Sequence, residues 1–147
     1  MSWSFSNDDV IVGPFSAGGF STTTSGFSID PATTAWINAV VAAGGSVSAP
    51  RQLVVNTLIV ALKAAGVWSI LDRLWLYAAE NTQSALIDLV VLDQSSAVNS
   101  PTFTADRGYA GNATTSYIDT TYLVSTDRVN YGANSMHAAA WDNTNRA

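Results

Sequence analysis

The stretch PTFTADRGYAGNATTSYIDT, Pro101–Thr120, decides the fold class. Thr102-Phe103-Thr104-Ala105 alternates, Asp106-Arg107-Gly108 carries turn chemistry, and Gly111-Asn112 turns again. Ser116-Tyr117-Ile118-Asp119-Thr120 then resumes strand character. This pattern predicts short antiparallel strands. Upstream, Leu89-Val90-Val91-Leu92, bounded by Asp88 and Asp93, reads as a buried strand, and Met136 to Trp141 forms a last apolar run.

Residues 29–88 have a helical period instead. Asp30 is a good N-cap, Pro31 suits the first helical position, and Gly44-Gly45 supplies the stop. Between them Trp36, Ala39, Val40 and Ala43 share one face. Ser48 followed by Pro50 opens a second helix with a predicted stripe of Val54, Leu58, Ala61, Leu62 and Ala65, ended by Gly66. A third helix is predicted over Val67–Ala79, apolar nearly all round. Asn81 or Thr82 caps one further turn through Ile87. Trp36, Trp68 and Trp75 at this spacing read as core rather than as a stacking platform.

Residues 1–28 form a third kind of sequence. Trp3, Phe5, Phe15, Phe20 and Phe27 stand among Ser, Thr and Gly, too aromatic for a solvated linker and too irregular for a helix. Such an arm either docks on a partner or lies on the protein's own helices. The expected class is therefore α+β: an extended docking arm (1–28), a small helical bundle (29–88) and the first strands of an antiparallel β-sandwich (89–147). About 50 residues are too few for a full jelly roll, so outside backbone is expected to complete the sheet.

Composition excludes several functions. The chain has 147 residues, 48% of them hydrophobic, enough for one core. Only 12% are charged, about half the usual roughly 25%. Net charge is −5 and the six basic residues stand singly, which argues against nucleic-acid binding. Cysteine is absent, removing disulfides and thiol chemistry. No apolar run reaches the roughly 18 residues of a membrane span, and MSWSFSNDDVIVGPF lacks the basic and apolar regions of a secretory signal.

The order of segments carries a resemblance. Gly108-Tyr109-Ala110-Gly111-Asn112 leads through Thr114-Thr115-Ser116 to Tyr117-Ile118-Asp119-Thr120, which is similar to the opening of concanavalin A-like (laminin-G-like) jelly-roll modules. Preceded by LVVNTLIVALKAAGVW and LYAAENTQSAL, it resembles structural proteins of bacteriophages and prophages, over residues 30 to 141. The resemblance implies a virion component of a tail or fibre-like appendage, assembling with other virion proteins and with copies of itself as a homo-oligomer such as a trimer. The alternative is a carbohydrate-binding adhesin module that recognises a host glycan, with Tyr109, Tyr117 and Trp141 as glycan-facing residues.

Enzymatic chemistry is not expected. Retaining glycanases need two carboxyls about 5–5.5 Å apart. This chain has one glutamate, Glu80, and only Asp106 with Asp119 as a strand-borne pair. Asp93, Asp106, Asn112 and Asp119 offer oxygens of the kind Ca²⁺ takes, yet turn chemistry accounts for each. His137, the single histidine, lacks a triad partner and reads as a half-buried strand residue. No metal site and no cofactor are predicted.

Overall fold

A computed structural model describes residues 28–132 and 134–141. The arm residues Trp3, Phe5, Phe15, Phe20 and Phe27 lie outside the described residues. Those described are α+β. In chain order they form α1 (Pro31–Ala42), α2 (Ala49–Ala64), a 3-10 turn (Trp68–Ile70), α3 (Thr82–Leu86), β1 (Ser96–Val98), β2 (Thr102–Thr104), β3 (Gly108–Ala110) and β4 (Tyr117–Asp119).

Both long helices stop by the same local device. Gly44, at φ 81°, puts its N–H on the Val41 carbonyl while Gly45 reaches Val40. Gly66, at φ 69°, bonds Lys63 while Val67 reaches Leu62. This double closure needs a left-handed residue, which glycine supplies without Cβ strain. At the other end of α1 the Asp30 carboxylate accepts the Ala32 amide at 2.8 Å, and Lys63 holds the same oxygen at 2.6 Å.

Trp36 and Val40 of α1 pack with Val55 and Ile59 of α2 and with Ile87 and Leu89 beyond α3. Leu89 thus shares the helical core, although it lies past the expected boundary at residue 88. Asn56 sits within this interface. Its Oδ1 accepts the Asp30 amide at 2.7 Å and the Thr33 hydroxyl at 3.1 Å, so a buried polar group is partnered and the helix register is pinned. The buried face of α2 is Val55, Asn56 and Ile59, about one residue removed from the predicted stripe, and Val54 is exposed.

Gly45 has a packing role besides. A Cβ there would lie 2.6 Å from Gln83 Cβ and 2.9 Å from Val40 Cγ1. Gly45→Ala is expected to destabilise the fold by about 1–3 kcal/mol, through overpacking between α1 and α3, read as a lower urea midpoint at unchanged slope.

The helix expected over Val67–Ala79 is confined to the turn Trp68–Ile70. From Leu71, at ψ 131°, the chain is extended. Leu74 donates its N–H to Asp88 Oδ2 and accepts from Leu89 N–H, so these backbone groups pair across to the 88–89 loop instead of along a helix. The apolar run is then used at period two. Leu74 and Leu76 pack against the core, while Tyr77 meets Tyr109 edge-on at 6.4 Å.

The strand expected over Leu89–Leu92 is also absent. Asp88, fully buried, folds this run around its own carboxylate, whose Oδ1 accepts the Val90 and Val91 amides. Four residues wrapped on one acceptor cannot pair as a ladder.

The β2–β3 hairpin forms where expected. Phe103 faces Tyr109 across it, and the turn contains Asp106 at φ 62° and Gly108 at φ 90°. Gly108 is required: a Cβ would stand 3.3 Å from the Tyr77 carbonyl oxygen. β4 pairs antiparallel with β1, Ser96 opposite Asp119 and Val98 opposite Tyr117. The hairpin therefore sits, in sequence, inside the β1–β4 ribbon. These are two separate two-stranded sheets. No regular structure forms over Met136–Trp141, and His137 is exposed instead of half-buried on a strand.

Candidate functional site

Three features organise the surface. The first is an open cleft of about 330 Å³ between the start of α2 and the hairpin tip, lined by Ser48, Arg51, Val54, Glu80 and Asp106 among others. Arg51 pairs with Asp106, and the Asp106 amide donates to the Ala79 carbonyl at 2.8 Å. Glu80 accepts the amide of Ser48, the N-cap residue of α2, at 2.7 Å, while the Ser48 side chain itself makes no capping bond. Both carboxylates are thus occupied in joining elements.

The second feature is an aromatic cluster. Tyr109 packs on Phe103 at 5.0 Å and on Tyr77, and its hydroxyl is buried without a hydrogen-bond partner. Burial pushes the Tyr109 and Tyr77 phenols above their ordinary range. Of the residues expected to face a glycan, Tyr109 is therefore engaged inside this cluster. Tyr117 is exposed on the other sheet, and Trp141 is 96% exposed on an irregular segment. No shared stacking face joins the three.

The third is the carboxylate of Asp72, absent from the sequence-based candidates. Its Oδ2 accepts the Tyr122 hydroxyl and the Val129 and Tyr131 amides, and Oδ1 accepts the Asn130 amide at 2.6 Å. Arg73 lies 5.0 Å over the Tyr122 ring. One side chain thus ties a loop nearly sixty residues away to the helical region. Partial burial works against the charged form here, but the amides and the phenol outweigh it and hold the carboxyl below 3.8.

A depressed folded pKa means that the tether is fully present above 3.8, the unfolded value, and is lost as pH falls through the lower folded value. Amide exchange at Val129–Tyr131 is expected to stay slow at pH 5 and to rise only below about pH 4. Asp72→Ala should make it fast at every pH with little change in the global unfolding midpoint. Equal exchange in the variant and the parent at pH 6 would refute the tether.

The remaining candidate oxygens are engaged within the fold. Asp93 pairs with Arg73, and Asp119 accepts the Thr121 amide. Asn112 accepts the Thr114, Thr115 and Ser116 amides. Asp106 and Asp119 stand on different sheets. Among the described residues no group of three His, Cys, Asp or Glu is placed to hold a metal ion. No helix there is long and apolar enough to cross a membrane.

What the surface does present is apolar area. Leu53, Val54 and Val60 of α2 are 48%, 59% and 46% exposed, and Val129 is 83% exposed. An open, mostly apolar hollow of about 460 Å³ lies under Ile29, Ala49, Gln52 and Leu53. Comparison with protein-family models, curated proteins and solved structures finds no match to this chain.

Proposed function

We propose that the chain is a non-enzymatic structural subunit of a bacteriophage virion, in a tail or fibre-like appendage. It assembles with copies of itself and with other virion proteins through its N-terminal arm and helical region. The sandwich-like completion of its short strands by neighbouring backbone belongs to the same reading. The observation that carries the assembly is the surface: exposed apolar side chains from α2 to Trp141, little charge, and three-residue strands that pair only two by two among the described residues. Burying such area and pairing such edges is what association supplies. The phage assignment rests on the resemblance in segment order alone.

Sedimentation velocity on the full chain and on a Trp3→Ser/Phe5→Ser/Phe15→Ser variant tests the arm's part. The parent should sediment as an assembly and the variant should shift toward the protomer. Identical profiles would remove the arm from the interface. The adhesin alternative has Tyr117 and Trp141 in its favour as exposed aromatics. A glycan array reading above background, lost in Trp141→Ala, would support it.

A further inference from the structure

The outward face of α2 is matched to itself. At 3.6 residues per turn, Leu53, Thr57, Val60 and Ala64 fall on one line at spacings of four, three and four, the rhythm of a coiled-coil seam. Val54 and Ala61 widen that line on one side. All six are exposed, opposite the buried Val55, Asn56 and Ile59. Thr57 is the centre of the pattern: Leu53 and Val54 precede it by four and three residues, and Val60 and Ala61 follow it by three and four. Its hydroxyl already donates to the Leu53 carbonyl at 2.9 Å, so covering it strands no donor.

The face carries no charge. Arg51 and Lys63, the two ionisable residues of α2, lie roughly 120° from Thr57 on either side, paired with Asp106 and Asp30 of the same molecule. For a chain of net charge −5, such a strip is where two copies approach at least electrostatic cost. The two ends also differ in relief. The hollow under Ile29 opens beside Leu53, and the cleft toward Asp106 opens beside Val54. Both flank the N-terminal half, while the C-terminal half offers Val60, Ala61 and Ala64 as low apolar knobs.

We infer that α2 packs antiparallel on α2 of a second copy, with a two-fold axis beside Thr57. Leu53 then lies against the partner's Val60, and Val54 against the partner's Ala61, so each hollowed half receives a knobbed half. The pairing names one self-contact of the assembly proposed above and rests on that reading. Covering both strips removes on the order of 1,000 Å² from water, near the lower limit for a specific interface, so this contact strengthens visibly with concentration.

The chain has no cysteine, so single substitutions report the contact directly. Thr57→Cys in the full chain should oxidise to an interchain disulfide at least roughly tenfold faster than Ala64→Cys. In the antiparallel pair the two Ala64 positions stand roughly 21 Å apart, beyond the reach of a disulfide, whereas a parallel pair would bring both sites together. Equal rates, or faster crosslinking through Ala64→Cys, would overturn the pairing. Val60→Lys tests the same face without a crosslink: self-association should weaken at least roughly tenfold at an unchanged urea midpoint, because the interface would bury a charge. Sedimentation identical to the parent would remove the face from the interface. A parent that assembles while Thr57→Cys crosslinks no faster than Ala64→Cys ends this pairing alone. A parent that sediments as a protomer at every concentration ends the assembly reading with it.

Discussion

Asp88→Ala is expected to lower the unfolding free energy by about 3–5 kcal/mol, because it strips acceptors from three backbone amides in and beside a buried loop. Val90 and Val91 would lose Oδ1 and Leu74 would lose Oδ2, all from a carboxylate that is fully buried. The damage is not confined to the loop. The Leu74 amide is what holds the extended 71–77 segment against the core, so Tyr77 and the hairpin resting on it loosen too. Asp88→Asn should cost less, since its oxygen still serves Val90 and Val91 while its amide nitrogen opposes the Leu74 N–H. Urea unfolding of the three proteins checks the order. Equal midpoints for parent and Asp88→Ala would mean that the loop is held by packing alone.

The second large effect is expected at Trp36. It is 1% exposed and packs with α2 and the Ile87–Leu89 segment, so Trp36→Ala should cost about 3–5 kcal/mol by opening a cavity in this shared core. The Trp36 indole N–H is buried without a partner, however. Trp36→Phe removes that unpaired donor along with the extra ring, so its penalty should be well under half of the alanine variant's. A phenylalanine variant as unstable as the alanine one would show that the indole's volume, and not its polarity, decides this site.

The contrast between these two residues shows what was legible in the sequence. Trp36, the Asp30 cap, Pro31 and both glycine stops are local devices, each readable within one helical turn, and each sits where the sequence predicts. The Asp106-Arg107-Gly108 turn is legible for the same reason. The face of α2 was not, since apolar residues surround the helix and the choice falls to Asn56, whose partners Asp30 and Thr33 lie on α1. Helix and extended readings of LDRLWLY were equally apolar. The decision came from Asp88, fourteen residues on from Leu74, accepting an amide. β1 was missed because Ser96-Ala97-Val98 has little strand character and pairs only when β4 is placed beside it.

The candidate site divides in the same way. Asp72 and Asp88 look like ordinary acidic residues until the chain is folded, and each then gathers amides far from it in sequence. An Asp followed by an apolar run, as in Asp88-Leu89-Val90-Val91, is a pattern in which the carboxylate accepts amides two and three residues ahead, and that local half of the Asp88 site was open to recognition. The half that reaches Leu74 was not. The exposed row on α2 was hidden for the opposite reason: without knowing the buried face, no leftover face can be named.

We propose that other subunits cover the exposed apolar surface. Size-exclusion chromatography with light scattering on the unaltered full chain, over a hundredfold range of concentration, tests it most directly. The expected mass is a multiple of 15.4 kDa, persisting or growing with concentration. A protomer of 15.4 kDa at every concentration, with slow amide exchange along all four strands, would contradict it.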